Sequence, residues 1–308
     1  MEKLKIKKIA FLGLDNGGKS TILNILEEKY SLISNQTPTV KIERHKMKNI
    51  FGCNIINWDV PGQRKLREKY LNDIECTLLD TDLIIYVIDI QDYRRILESI
   101  TFFKKIIKKL HENNLNNIQI FVFCHKFDPD LVEDEACLSN IRYVREKINS
   151  IIPNSNIKFF NTTIYDRWTI FFAFSKAFMI LMPESKEQKI RKILEEFALT
   201  NNFNSVLLMN EKNIIINEYS ADSFSSEVIN SLALTLNTLY DIATEKSLGN
   251  QIKINLLSGI ALLISIQLDK NVRLFLLGFI EDNNDFKIEG VDKVINGLRS
   301  IHDISEVK

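Results

Sequence analysis

The chain has 308 residues, 45% of them hydrophobic and 26% charged, with 40 basic and 40 acidic side chains and a formal net charge of zero. That length exceeds what a single hydrophobic core usually serves, so two domains are expected. The balanced charge excludes a global electrostatic case for nucleic acid or an anionic membrane.

The start, MEKLKIKKIAFLGL, is charged before it is apolar and reads as a strand rather than a signal peptide. No apolar run is long enough to span a bilayer. Glu2 excludes N-myristoylation and the terminal SEVK lacks a prenylation cysteine, so no direct membrane insertion is expected. Cys53, Cys76, Cys124 and Cys137 show no CxxC spacing, which leaves reduced, buried thiols and a cytoplasmic location as the expectation.

In chain order, IKKIAFLG, CNIINWD, DLIIYVID, IQIFVFC and IKFF read as strands, and 19–29, 92–110, 133–150 and 166–182 as helices. Such alternation predicts an α/β fold with a doubly wound, mostly parallel sheet, whose ligand sits beyond the carboxyl ends of the strands. Pro183 disfavours helical geometry at Met182 and sets the expected boundary between a domain of 1–183 and one of 184–308.

The order then changes. Ile190, Ile193, Leu194 and Phe197 follow the spacing of a helix with one buried stripe. Strands SVLLM and NIII, joined by a turn at 210–213, come next, then a helix over 225–243. Strands QIKINLL, IALLISIQL and VRLFLLGFI precede a last amphipathic helix carrying Val291, Val294, Ile295 and Leu298. This predicts an α+β domain with an antiparallel sheet covered by helices.

Chemistry concentrates in the first domain. GLDNGGKST fits GxxxxGK[ST] and follows a strand, which makes Gly13, Asp15, Asn16, Gly17, Gly18, Lys19, Ser20 and Thr21 candidate nucleotide-binding residues. The loop amides and the helix N-terminus would face phosphates, Lys19 would reach the β and γ oxygens, and the Ser20 hydroxyl would ligate Mg²⁺. In WDVPGQ, Asp59 is placed to hold Mg²⁺ through its water shell, the Gly62 amide to donate to a γ-phosphate, and Gln63 to orient the attacking water. In TPTVKIERH, a threonine in a loop before an extended stretch can ligate Mg²⁺ by its hydroxyl and contact the γ-phosphate by its amide; Thr39 and Thr37 compete for that role.

FCHKFDPD addresses the base. Guanine offers N1–H and an exocyclic amine side by side, which the Asp128 carboxylate accepts bidentately, whereas adenine presents a lone pair at N1. The Lys126 stem can lie along the base, and a His125 ring N–H can donate toward N7 and link back to the phosphate loop. In FFNTTIYD, Thr162 and Thr163 are small enough to let backbone amides approach the guanine oxygen. His45, His111 and His302 show no partner spacing, and no arginine can be nominated as an internal transition-state finger.

On these motifs the chain resembles a small GTPase of the Ras superfamily. GLDNGGKST, and PTV followed by WDVPGQ, are similar to the Arf branch; HKFD in place of NKxD, and FNTTIYD, resemble the Rag (Gtr) GTPases. Rag proteins carry a C-terminal roadblock/longin-type domain, and the element order after Pro183 is similar to it. The resemblance favours Thr39 as the sensor and implies a GTP/GDP switch with Mg²⁺ and slow hydrolysis. It further implies a homo- or heterodimer formed through the C-terminal domain, GTPase-activating and exchange proteins, and a roadblock-type scaffold that brings a cytoplasmic protein to a membrane. Pro61 departs from the Arf pattern, which carries Gly; proline fixes φ and removes an amide donor.

Overall fold

The computed structural model describes residues 6–32, 39–47, 53–73, 77–115, 118–153, 157–244, 251–270, 272–281 and 288–306. Backbone packing separates two compact units, and the division falls between Ala173 and Phe174.

In the first unit, β1 (Ile6–Gly13), β2 (Glu43–Lys46), β3 (Asn54–Asp59), β4 (Leu83–Asp89), β5 (Gln119–His125) and β6 (Lys158–Thr162) form one sheet in the order β2-β3-β1-β4-β5-β6. Only β2 runs antiparallel to its neighbour. The central strands read as near-continuous apolar runs because helices cover both faces of a parallel sheet; Phe11, Tyr86, Phe121 and Phe123 are fully buried. The helices are α1 (Lys19–Leu26), α2 (Arg64–Asn72), α3 (Tyr93–Glu112), α4 (Glu135–Ile151) and α5 (Arg167–Leu181). The chain leaves β1 toward β3 and later returns to its other side as β4, so the carboxyl ends of β1 and β4 flank the point where a crevice opens.

One element was not read from the sequence. RKLREKYLN forms α2 with only Arg67, Tyr70 and Leu71 buried, an apolar stripe too thin to signal a helix by periodicity.

The second unit begins within α5. The Ile215 amide donates to Ser175 Oγ at 2.8 Å and Lys176 pairs with Glu218 at 2.8 Å, so the last turns of α5 belong with the strands that follow. Pro183 is the N-cap of α6 (Glu184–Asn201), consistent with its inability to continue a helix. Then come β7 (Ser205–Asn210), β8 (Ile215–Ser220), α7 (Ser223–Thr244), β9 (Gln251–Leu256), β10 (Gly259–Gln267), β11 (Arg273–Ile280) and α8 (Val291–Glu306). These five strands make an antiparallel sheet in the order β8-β7-β11-β10-β9. Every residue of β7 is buried, and α6 and α7 both pack on it.

The β7–β8 turn has a local cause. Asn210 Oδ1 accepts from the amides of Lys212 and Ile214 at 3.0 and 2.9 Å, and Asn213 takes the left-handed conformation that asparagine tolerates (φ 60°). Cys53, Cys124 and Cys137 are buried, and Cys76 lies outside the described residues. Among the described residues, no helix is long and apolar enough to cross a membrane.

Gly278, in the middle of β11, lies under the Phe203 ring, and a Cβ there would come within 2.6 Å of it. Phe203 is itself stacked on Phe197, with ring centroids 5.7 Å apart, and has little room to retreat. Gly278→Ala is expected to destabilise this unit by about 1–3 kcal/mol through overpacking, measured as a lowered denaturant midpoint at unchanged slope.

Candidate functional site

The loop between β1 and α1 is shaped by close approaches that only glycine permits. Gly13 has φ 141°, and a Cβ on it would lie 2.3 Å from the Val87 carbonyl oxygen. Gly18 has φ 90°, and its Cβ would lie 2.4 Å from His125 Cδ2. Asn16, between them, is left-handed at φ 58°, a conformation that suits a loop whose successive amides cradle an anion.

Lys19 opens α1 and is 6% exposed. Its Nζ folds back over the loop and donates to the carbonyls of Leu14 at 2.9 Å and Gly13 at 3.4 Å. Burial lowers its pKa to about 8, against the upward pull of the Asp59 and Asp15 charges. The next residue, Ser20, donates to Asp59 Oδ2, and its Oγ lies 3.0 Å from Thr39 Oγ1. Thr39 also donates to Asp59 Oδ2, at 3.2 Å. Asp59 is fully buried at the end of β3, and its Oδ1 has no hydrogen-bond partner among the described residues. Two hydroxyls and a carboxylate with a spare oxygen are a hard, all-oxygen donor set, and they fit Mg²⁺. Thr37 lies outside the described residues.

Gly62 rests on the phosphate loop. The Asp15 amide donates to its carbonyl at 3.0 Å, and a Cβ at Gly62 would sit 2.3 Å from that same nitrogen. Gln63 follows as the N-cap of α2, partly exposed. Gln63, Thr39, Arg67, Arg95 and Glu98, with the phosphate loop, line a cavity of about 760 Å³.

The base motif follows at the end of β5. His125 is 1% exposed, with Nδ1 at 3.0 Å from Thr162 Oγ1 and the opposite edge of its ring against Gly18. Burial first, and then the Lys126 charge, lower its pKa to about 4, so the ring is neutral near pH 7 and carries one N–H. Lys126 is left-handed (φ 63°), and its amine meets Asp89 Oδ2 at 2.5 Å. Asp128 accepts from Thr163 Oγ1 at 2.6 Å and from Gln91 Nε2 at 2.7 Å. Three separate sequence segments thus converge at the carboxyl ends of β1, β3 and β5.

The conserved region of the Gtr1/RagA G proteins matches residues 8–239, which include every motif above and the second unit only as far as Leu239, within α7. The chain belongs to the Gtr1/RagA G-protein family. It is also 36% identical over 121 residues to ADP-ribosylation factor-like protein 3 of Chlamydomonas reinhardtii, a match covering 39% of this chain and 63% of that protein. Against ADP-ribosylation factor-like protein 4C of Homo sapiens it is 38% identical over 104 residues, covering 32% and 51%. The chain therefore spans between half and under two thirds of the length of these relatives. Among solved structures, the Arl6 BBS3 small GTPase from Trypanosoma brucei with the bound nucleotide analogue GppNp is 17% identical, with a TM-score of 0.46 over 57% of this chain and 98% of that one.

Within this Gtr1/RagA chain, Thr162 and Thr163 lie beside the base motif. The Thr163 amide donates to Thr169 Oγ1 at 3.0 Å, and it is the two hydroxyls that meet His125 and Asp128. Sequence reasoning missed Asp89 and Gln91, which partner Lys126 and Asp128, and Arg67, Arg95 and Glu98, which line the cavity. Asp89 carried a signal, as a carboxylate ending a buried strand beside the switch point; the α3 residues carried none. His45 and His302 do have acidic neighbours, Glu27 at 3.0 Å and Asp269 at 3.6 Å.

The buried His125 has a pH consequence. Its folded pKa of about 4 lies below the ordinary 6.5, so the unfolded chain takes up a proton first as pH falls. The stability it contributes is full above pH 6.5 and is lost between there and about 4, by roughly 3 kcal/mol in all. His125→Asn is expected to flatten the fall of the unfolding midpoint between pH 7 and 4.5 relative to the unaltered chain, read by thermal denaturation.

Proposed function

We propose that this chain is a guanine-nucleotide switch that binds GTP and GDP, hydrolyses GTP slowly, and changes partners with the state of the nucleotide. One observation carries the reading: the Ser20, Thr39 and Asp59 oxygens meet beside the buried Lys19 amine, at the same carboxyl end of the strands as the Asp128 carboxylate. A phosphate loop alone would suit many nucleotide enzymes. A carboxylate two residues after a lysine, at the end of the strand beyond β4, selects guanine.

The roles follow from the atoms. Lys19, from its carbonyl cradle, neutralises phosphate oxygens, and the amides of the curled loop from Gly13 to Gly18 donate to the rest. Ser20, Thr39 and Asp59 would hold Mg²⁺, which when bound offsets the charge of the terminal phosphates. Gln63 orients the attacking water, and Thr39 and Gly62 sense the terminal phosphate through their amides. Asp128 accepts from the base in exchange for its Gln91 and Thr163 partners, Lys126 lies along the base, and His125 ties β5 to the phosphate loop.

In this reading 1–183 is the GTPase domain and 184–308 a roadblock/longin-like domain. The latter pairs with a second Rag-like or roadblock subunit and brings a cytoplasmic protein to a membrane through its partners. Support comes from the family region, which runs past Pro183 to residue 239, and from the five-stranded antiparallel sheet that follows. An Arf-like traffic role is the weaker alternative, since the Arf-like matches cover only 39% and 32% of the chain. A scaffold that holds nucleotide without cycling is favoured by a single feature, Pro61 followed by a Gly62 already seated on the loop.

Asp128→Asn is expected to weaken GTP binding roughly 10²- to 10⁴-fold, the loss of two charge-assisted hydrogen bonds, and to favour xanthosine triphosphate in competition titrations. Unchanged GTP affinity would remove the base assignment. Single-turnover hydrolysis by the unassisted protein should fall at about 10⁻⁴ to 10⁻² per second, and complete retention of GTP over days would favour the scaffold. For assembly, light scattering on the full chain, alone and with candidate subunits, should give at least a dimer mass; a monomer under every condition counts against pairing.

A further inference from the structure

A continuous run of ion pairs ties α2, α3 and the phosphate loop together. Arg67, on α2 and 5% exposed, donates from Nη2 to Glu98 Oε1 at 2.6 Å, with its guanidinium 4.9 Å from the Phe102 ring centroid. Arg95, one turn before Glu98 on α3, donates from Nε to Glu98 Oε2 at 3.3 Å. The same guanidinium reaches Asp15 twice, from Nη2 to Oδ1 at 2.6 Å and from Nη1 to the backbone carbonyl at 3.3 Å.

The segment bearing Gln63 is thereby held on both sides. Before it, the Gly62 carbonyl accepts from the Asp15 amide; after it, Arg67 leads through Glu98 and Arg95 back to the Asp15 side chain. Asp15, Arg67, Arg95 and Glu98 all line the cavity that Gln63 and Lys19 also line. Isolated exposed pairs contribute little, but this run alternates in sign, is forked at Arg95 and is anchored on the buried Arg67, so it is geometrically specific. Its charges respond to one another. Burial pushes the Asp15 carboxyl upward, yet the hydrogen bond and charge of Arg95 bring it below its ordinary value, and the Arg67 hydrogen bond does the same for Glu98. Asp15 is also an anion on a loop that would face phosphates, a repulsion that Arg95 offsets.

We infer that Arg95 and Glu98 are positioning residues for GTP hydrolysis: acting through Arg67 and Asp15, they clasp α2 to the phosphate loop and so fix Gln63 at the reacting phosphate. This rests on the GTPase reading above. Nothing in the clasp touches the base, and its effect is on the orientation of Gln63 more than on the retention of nucleotide.

The test uses the full chain loaded with GTP, comparing phosphate release in a single turnover with dissociation of fluorescent GTP and GDP. Glu98→Gln and Arg95→Gln are each expected to slow hydrolysis roughly 10- to 100-fold, the scale of a small misplacement of a catalytic group, while dissociation changes less than about 3-fold. Because the pairs act as a unit, the double variant should be no slower than the worse single. Arg95→Lys, which keeps charge but loses the fork, should recover only part of the rate. Glu98→Gln, at a half-exposed site, serves as the primary variant should Arg95→Gln fold poorly. Hydrolysis at the unaltered rate in Glu98→Gln, strictly additive losses, or dissociation accelerated as much as hydrolysis is slowed would each overturn the clasp. If the unaltered chain itself neither retains nor hydrolyses GTP, the GTPase reading falls and the clasp with it; if it hydrolyses and the variants match it, the clasp alone falls.

Discussion

Everything at the candidate site depends on how closely the loop after β1 is gripped by its neighbours. The His125 ring fills the space where a side chain at Gly18 would be, and Gly62 lies against the Asp15 amide with no room for a Cβ. Those two contacts join the phosphate loop to β5 on one side and to the segment before α2 on the other. Protein interiors are packed to near-crystalline density, so a displacement of one such partner is felt by the next. A contact of this kind couples the base motif, the phosphate loop and Gln63 without any dedicated hinge.

The second constraint is charge. The site gathers Lys19, Asp59, Arg67 and Asp15 in surroundings from fully buried to half exposed, and each finds an opposite charge or a polar partner. Removing one partner from such a set costs more than the bond alone, because the remaining group stays desolvated. Asp59 is the informative exception: one oxygen is crowded by two hydroxyls while the other is buried without a partner among the described residues, which is the pattern expected of residues shaped for a cation. Asp128 differs in kind, for both of its oxygens are engaged by Thr163 and Gln91, so the base recognition proposed for it would be an exchange of partners.

The second unit follows a different logic. Its strands pair antiparallel, its inner strand β7 is buried along its whole length, and the turn after β7 is closed by the Asn210 side chain, which accepts from the amides of Lys212 and Ile214. Such a fold is specified by local turn chemistry and by the apolar runs of its inner strands, and it carries none of the nucleotide motifs.

The sequence by itself determined the two sheets, their strand order of appearance, the phosphate loop and the carboxylate of the base motif. These are encoded locally, in a strand's apolar run, in glycines where the backbone must be left-handed, and in a lysine and hydroxyl at fixed spacing. The meeting of Ser20 and Asp59 with a threonine was also expected from their oxygen chemistry, but the choice of Thr39 over Thr37 rested on the resemblance. What only the tertiary structure decided is which distant residues face the cavity. Arg95 and Glu98 lie on α3, 80 positions after Asp15 in the case of Arg95, on a surface stripe that any solvated helix would show. Gln91 and Asp89 reach the base motif across β4 and β5, and α5 ends in the second unit because Ser175 and Lys176 bond to β8. The physical reason is common to all of them: a hydrogen bond or ion pair between remote segments leaves no periodicity in either, and it exists only once packing has brought the two together.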